Sequence, residues 1–399
     1  MARPLIPQSV EELGAAWLTE ALGASGLLGS GRVRGVEAER LGEGEGFMGD
    51  VYRLHLDVED APPATPTSLI AKIPTKLMDS RVEGEMIRIY ERELRFYAEL
   101  SDGFPVRVPR CWLGAMDPNP AGPQADARIE RLVDRAPLWL IRCLLWLGRL
   151  LVRLAPRRYL LLLEDLAPAR VGDQVAGCND AQLDLAVTTL ASMHAHFWRS
   201  AQIEALPWVS RIDAAPRVIW LYHVQGRPAF EQAFGDRLTP RVRRLGRWLD
   251  DHGSAAMQRF VESPPTLLHG DYRLDNLFYT EEGGLIVADW QVACQGPGAY
   301  DLAYLLSGTL APEVSAAHER AWVRRYHDCL LAGGVADYDL ETCTRDYERA
   351  LVLLLSRLIS SIPRVDATNE RGRALQSAWV DRMIARIEAL APESLPVEP

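Results

Sequence analysis

The sequence predicts an α+β protein of two lobes, a small β-rich N-lobe over residues 1–165 and a large, mostly α-helical C-lobe over residues 166–399. Three observations predict it. Up to about residue 166 most apolar stretches alternate with polar residues between glycine and proline clusters, which is strand spacing; beyond 180 they recur every three to four residues, which is helix spacing. A short strand-turn-strand pattern at 277–289 interrupts the helical half. A chain of 399 residues is long enough for two lobes with a shared cleft.

Composition excludes several classes. Apolar content of 48% and charged content of 25% are those of a soluble globular protein. A net charge of −10 argues against a nucleic-acid binder, which needs a basic footprint. Cys111, Cys143, Cys178, Cys294, Cys329 and Cys343 are scattered without Cys-x-x-Cys spacing, so reduced thiols in a cytoplasmic protein are expected, with no disulfide frame or zinc site. Met1 to Pro7 carries no sustained apolar run and reads as no secretory signal.

Taken in order, residues 8–22 place Val10, Leu13, Trp17, Leu18 and Leu22 at helical spacing after Ser9, an N-cap candidate with Glu12 three residues on; one helix is expected. Val33, Val36 and Leu41 lead into glycines 44, 46 and 49, which fit Gly-x-Gly-x-x-Gly. Glycine belongs where backbone approaches phosphates closely. A dinucleotide-binding loop would run into a helix, whereas Val51 to Val58 alternates like a strand. Strand-loop-strand suits a loop that covers nucleotide phosphates, and equally an ordinary Gly-rich hairpin.

Ser68 to Pro74 is a strand with one lysine, Lys72, among apolar residues, which is costly unless paired. Residues 83–100 have helical periodicity and supply Glu85, Glu91, Glu93 and Glu99 as candidate partners; those that do not pair are expected on a solvated face. Residues 106–116 form a further strand. The segment from 129 to 158 is the least ordinary: Arg135, Arg142, Arg149 and Arg153 differ by seven, seven and four and line one helical face of a Leu- and Trp-rich run. The arginines inside the run argue against a bilayer span. Two readings stay open, a peripheral helix on a membrane surface or lipophilic ligand, and a helix packed on its own protein or on a second copy.

Tyr159 to Leu166 is an apolar strand ending in Glu164 and Asp165. Residues 180–199 are helical; His194 and His196, two apart, point in different directions, so packing rather than zinc ligation is expected. Residues 216–262 are helical and rich in aromatics. Three helices are expected over about 312–332, 338–362 and 367–391.

Between these helices lies the stretch that carries chemistry. Residues 269–276 fit His-x-Asp-x-x-x-x-Asn with His269, Asp271 and Asn276, a kinase catalytic loop pattern. Two short apolar runs joined by Glu281-Glu282-Gly283-Gly284 follow as a hairpin and end at Asp289. Asp271 can orient and deprotonate an attacking hydroxyl; Asn276 and Asp289 can hold magnesium on a triphosphate. Asp301, in the first turn of the next helix, is read as structural, a carboxylate for backbone amides.

The stretches Gly44 to Arg53, Ile70 to Thr75, Glu93 to Tyr97, Leu163 to Leu166, Met193 to Ala195, His269 to Asn276, Asp289 to Gln291 and Gly296 to Leu302 follow one another in an order and spacing that resembles the aminoglycoside phosphotransferase and choline kinase-like superfamily. The sequence is most similar to the ecdysteroid-kinase-like branch and its bacterial relatives. The resemblance implies a protein-kinase-like bilobal fold, ATP and Mg2+ as cofactors, and a small-molecule hydroxyl as acceptor. It implies nucleotide binding by Gly44, Gly46, Gly49, Lys72, its partner Glu93, and the inter-lobe linker at Glu164 and Leu166, whose backbone would meet the adenine. It leaves out the insertion at about 126–158.

The expected activity is ATP-dependent phosphorylation of a hydroxyl on a small, largely apolar metabolite or antibiotic, since the presumed acceptor walls at 180–262 and 338–391 are rich in Trp, Tyr, Phe and Leu. The alternatives are an aminoglycoside-type phosphotransferase, which needs an acidic pocket, and a non-catalytic nucleotide-binding module held at a membrane or partner by the 138–154 helix.

Overall fold

Strand alternation in Ser68–Pro74 buries Leu69, Ala71 and Ile73 on one face and turns Ile70 and Lys72 to the other. That division organises the first half of this computed structural model, which describes residues 5–42, 49–119, 136–214, 216–361 and 370–391. The described residues fall into two compact units, one of 5–42, 49–104, 108–119 and 138–168, the other of 105–107, 136–137, 169–214, 216–361 and 370–391.

In the first unit the strands β1 (Arg32–Leu41), β2 (Gly49–Glu59), β3 (Ser68–Pro74), β4 (Cys111–Met116) and β5 (Tyr159–Glu164) form an antiparallel sheet in the order β1-β2-β3-β5-β4. Helix α1 (Ala15–Ala24) covers one face, where Leu18 and Leu22 pack with Leu54, Leu69, Ala71, Leu160 and Leu162. Each such leucine, fully withdrawn from water, contributes roughly 1.5–3 kcal/mol before chain entropy is counted. The helix expected over 8–22 is broken: Val10–Glu12 is one 3-10 turn, the α-helix begins at Ala15, and the Ser9 side chain makes no capping bond.

The helix expected over 83–100 is two helices, α2 (Met78–Met86) and α3 (Ile89–Glu99). Arg88, in the left-handed region at φ 62°, breaks the helix between them. The break lets Tyr90 fold back over Gly84, where a Cβ would stand 2.9 Å from the tyrosine Oη. Periodicity misses it because both segments keep helical spacing on either side. Glu85 and Glu91, expected on a solvated face, are instead inside: Glu91 is bonded by Arg157 at 2.9 Å and Arg95 at 2.9 Å, and Glu85 by Arg81 at 3.4 Å. A buried carboxylate persists only when paired, and one of these partners, Arg157, lies at the end of the inserted segment. The described part of the insertion forms α4 (Leu138–Leu154), which buries Ile141 fully and packs on α2 through Gly148, where a Cβ would be 2.9 Å from Met86 Cε. Arg135 lies outside the described residues.

The second unit is mostly helical: α5 (Asp180–His196), the short α6 (Ala201–Glu204), α7 (Pro216–Phe234), α8 (Pro240–Phe260), then, beyond a β region, α9 (Ala299–Thr309), α10 (Ala316–Ala332), α11 (Leu340–Ser361) and α12 (Glu370–Ala389). Asn179 caps α5 in a reciprocal capping box with Gln182. Small sheets sit among the helices: β6 (Arg170–Val171) with β8 (Leu277–Tyr279) and β9 (Leu285–Val287), and β7 (Pro265–Leu268) with β10 (Cys294–Pro297). Trp220, Phe230 and Phe260, counted in the sequence as acceptor-site walls, are buried and fill the core of this unit.

Candidate active site

Strand β7 ends at Leu268 and the chain turns at Gly270, φ 78°, where a Cβ would lie 2.5 Å from the Val292 carbonyl oxygen. Only glycine fits that approach and that φ. The turn is held by Asp301 at the start of α9: its fully buried carboxylate accepts from the His269 amide at 2.7 Å and the Gly270 amide at 3.0 Å. Asp301 thus braces a loop from another element rather than capping its own helix. Two amides on one carboxylate are charge-assisted bonds, stronger than neutral ones. Buried His194 lies beside it, Nε2 at 3.4 Å from the Asp301 carboxylate and Nδ1 at 2.7 Å from the Tyr326 hydroxyl, whereas His196 is exposed.

His269 is a brace too. Its Nδ1 accepts from the Asp271 amide at 3.2 Å, so the proton is on Nε2, which donates to the Ala288 carbonyl at 2.9 Å. One ring therefore ties the loop to the strand end that precedes Asp289. A second tie is the Ala288 amide to the Asn276 carbonyl, 2.9 Å, continuing the β8–β9 ladder by one step. These bonds bring Asn276 and Asp289 to adjoining positions although thirteen residues of sequence separate them. Asp289 itself is at φ 69°. Aspartate tolerates the left-handed region better than most residues, but a β-strand ending this way holds roughly 1 kcal/mol of strain, a frequent mark of a functional position.

Asp271 is the most constrained side chain of the loop. Its Oδ1 accepts from the Tyr304 hydroxyl at 2.6 Å and from Arg357 Nη2 at 3.2 Å; its Oδ2 accepts from Asn276 Nδ2 at 3.1 Å and Arg273 Nε at 3.3 Å. Burial pushes its pKa up, but the guanidinium charges of Arg273 and Arg357 and the Tyr304 hydroxyl outweigh that and hold it down at about 2. Asn276 also gives its Nδ2 to the Asp271 carbonyl at 2.9 Å, so its amide oxygen is the atom left for a cation.

Mg2+ takes oxygen ligands in near-octahedral geometry, usually one or two protein groups plus phosphates and waters. The donor set here, an amide oxygen of Asn276 and a carboxylate of Asp289, fits that pattern. Among the described residues no three His, Cys, Asp or Glu side chains converge as a self-sufficient metal cage.

The first unit places its own predicted residues. Lys72, on the face of β3 away from α1, donates to Glu93 Oε1 of α3 at 2.7 Å, with the Glu93 side chain only 4% exposed. Gly49 opens β2 opposite Pro74, and Gly44 and Gly46 lie outside the described residues. Glu164 closes β5, its amide donating to the Arg110 carbonyl at 2.8 Å; Leu166 follows, half-buried. Sequence reasoning missed Arg273, Tyr304 and Arg357. The signal for Arg357 was present: a lone charge in the run Leu351 to Ile359, the same anomaly that marked Lys72.

The sequence profile of APH, the phosphotransferase enzyme family, matches residues 85–332, more than half of the chain. No curated protein matches it in sequence. Among solved structures it is similar to choline kinase from Cryptosporidium parvum, with TM-score 0.52 at 10% identity over 90% of this chain and 92% of that one. It is also similar to choline kinase from Streptococcus pneumoniae (TM-score 0.46, 12% identity, 87% and 93% covered) and macrolide 2'-phosphotransferase from Brachybacterium faecium (TM-score 0.43, 15% identity, 90% and 97% covered). At these identities the likeness is one of fold.

Proposed function

This chain belongs to the phosphotransferase enzyme family, and from that premise we propose that it is an ATP-dependent kinase that moves the γ-phosphate to a hydroxyl of a small, largely apolar molecule. The observation that carries the proposal is the set Asp271, Asn276 and Asp289, joined by the His269 and Ala288 bonds and braced by Asp301. Phosphoryl transfer needs little covalent chemistry from the protein and much positioning and charge.

Each residue has a task of that kind. Lys72, held by Glu93, binds phosphate oxygens, with the loop from Gly44 to Gly49 covering them. Asn276 and Asp289 hold Mg2+, which neutralises charge on the phosphates when bound. Asp271 accepts the hydrogen bond of the acceptor hydroxyl and aims its oxygen in line. With a pKa near 2, Asp271 is a weak base in the free enzyme, so its main contribution is orientation, and it takes the proton as the alcohol oxygen bonds to phosphorus and the bond to the ADP oxygen breaks.

Support for the acceptor class is electrostatic. The ionic partners closest to Asp271 are Arg273 and Arg357. A polycation such as an aminoglycoside would meet two guanidiniums beside the residue that must approach its hydroxyl. An uncharged, largely apolar alcohol meets no such penalty.

The test is transfer of labelled γ-phosphate from ATP to an extract of the source cells, partitioned into organic and aqueous phases, with Asp271→Ala as control. Label in the organic phase that disappears in the variant is the expected result. Label confined to water-soluble polyamines would overturn the acceptor class, and equal labelling by the variant would overturn the assignment of Asp271.

A further inference from the structure

Helix α4 presents an outward apolar face that its own protein leaves exposed. Trp139 and Trp146 are each 66% exposed, Leu151 57% and Leu154 73%, with Leu147 and Leu150 between them. The opposite face is the one in use, through buried Ile141 and the Gly148 contact with Met86. Leu77 and Met78, at the start of the α2 helix against which α4 packs, add exposed apolar surface of their own.

Charge identifies what fits this face. The chain carries a net −10, yet residues 138 to 158 contain no aspartate or glutamate and hold Arg142, Arg149, Arg153, Arg157 and Arg158. Arg142 is three residues from Trp139 and four from Trp146, and Arg149 and Arg153 follow on the same edge, so a basic rim borders the tryptophans. Arg142 is exposed; Arg149 and Arg153 pair with Glu83 and Asp79 of α2 while keeping 40% and 54% of their side chains in solvent. Arg157 and Arg158 point elsewhere, to Glu91 and Asp117. Tryptophan and arginine side by side, apolar body below and cation at headgroup level, are the composition of helices that lie in a bilayer interface.

No described helix is long and apolar enough to cross a membrane, and Gly148, Arg149 and Arg153 tie α4 to Met86, Glu83 and Asp79 of α2, so it can meet a bilayer only side-on. A second copy fits less well. In a two-fold interface the same patch meets itself; its carboxylates, Glu83 and Asp79, are already engaged by Arg149 and Arg153 of their own chain, and α4 itself offers no acid to a partner's Arg142.

We propose that the outer face of α4 docks the protein on an anionic lipid surface, with Trp139, Trp146 and the neighbouring leucines in the acyl boundary and Arg142, Arg149 and Arg153 at the headgroup phosphates. The inference does not depend on the phosphotransfer reading: docking and catalysis fail or succeed separately.

The experiment is co-sedimentation of the full chain with vesicles of equal parts phosphatidylglycerol and phosphatidylcholine, and with phosphatidylcholine alone. Wild type is expected to sediment with the anionic vesicles and to be released by high salt. The double variant Trp139→Ser, Trp146→Ser is expected to lose binding by about tenfold or more, and Arg142→Glu by a similar factor on anionic vesicles only. Because these side chains are exposed, thermal unfolding of the variants should match wild type, which separates lost docking from lost folding. The proposal is overturned if wild type ignores both vesicle types, or binds no better than the variants. It is equally overturned if light scattering finds a wild-type dimer that the tryptophan substitutions dissociate, since a second copy would then occupy the face.

Discussion

Arg357 Nη2 stands 3.2 Å from Asp271 Oδ1, while the other guanidinium nitrogen, Nη1, donates to the Gly270 carbonyl at 2.7 Å. One side chain from α11 therefore grips both the Asp271 carboxylate and the backbone of the loop that carries it, with its guanidinium 4.7 Å from the Tyr304 ring centroid, and Tyr304 donates to the same Oδ1. On the proposed role of Asp271, this geometry would make Arg357 a positioning residue for it.

Arg357→Ala is expected to lower kcat by about 10- to 100-fold with a smaller change in KM for ATP, and Arg357→Lys to recover part of it, since a lysine keeps the charge without the fork. Steady-state kinetics would decide; unchanged kcat in the alanine variant removes the role.

The same substitution has a pH signature. The folded pKa of Asp271, about 2, is below its ordinary value, so the ionised carboxylate stabilises the fold above about pH 4 and that contribution is lost as pH falls towards 2. Loss of the Arg357 charge leaves burial less opposed, so in Arg357→Ala both the acid limb of kcat/KM and the acid unfolding midpoint should move to higher pH. Coincident profiles for the two proteins would show that Arg357 does not set this titration.

Asp271→Asn should lower turnover by about 10³-fold while leaving nucleotide binding within a factor of a few, because its NH2 group would face donors that now bond to both carboxylate oxygens, so the amide can neither hold the orientation nor take the proton. Calorimetric titration beside turnover assays separates these effects, and a parallel loss of nucleotide affinity would count against a purely catalytic role.

Asp289→Gly makes the opposite separation. Glycine relieves the left-handed backbone at φ 69°, so thermal stability should stay equal to wild type or rise by up to about 1 kcal/mol. Magnesium-dependent nucleotide binding should be lost. Retained magnesium dependence would exclude Asp289 as a ligand.

Lys72→Met removes the ammonium from Glu93, whose side chain is 4% exposed. A destabilisation of about 1–3 kcal/mol is expected, partly reversed in Lys72→Met, Glu93→Gln, because the second change removes the buried charge that the first left uncompensated. Additive effects in this double-mutant cycle would mean that the pair is not energetically coupled.

Sequence by itself determined the order of chemistry-bearing elements. The loop at 269–276, the hairpin after it and the place of Asp289 at the hairpin's end were legible as geometry because they are local: a turn glycine, two short apolar runs and a glycine-containing turn fix the backbone within about twenty residues. Lys72 was legible because a charge in an apolar strand demands a reason. Tertiary structure decided what holds Asp271. Arg357 and Tyr304 come from helices whose separation along the chain carries no pairing information, and Asp301 braces amides thirty-one and thirty-two residues before it. Glu85 and Glu91 show the same limit: helical spacing gives the face a side chain occupies, but not that Arg81, Arg95 and Arg157 bury that face with paired charge. The amphipathic pattern of α4 was readable from its residues, yet only packing could decide its two sides. Both faces are apolar enough to be buried, and it is Gly148, by admitting Met86, that commits one of them to the protein and leaves the tryptophans outside.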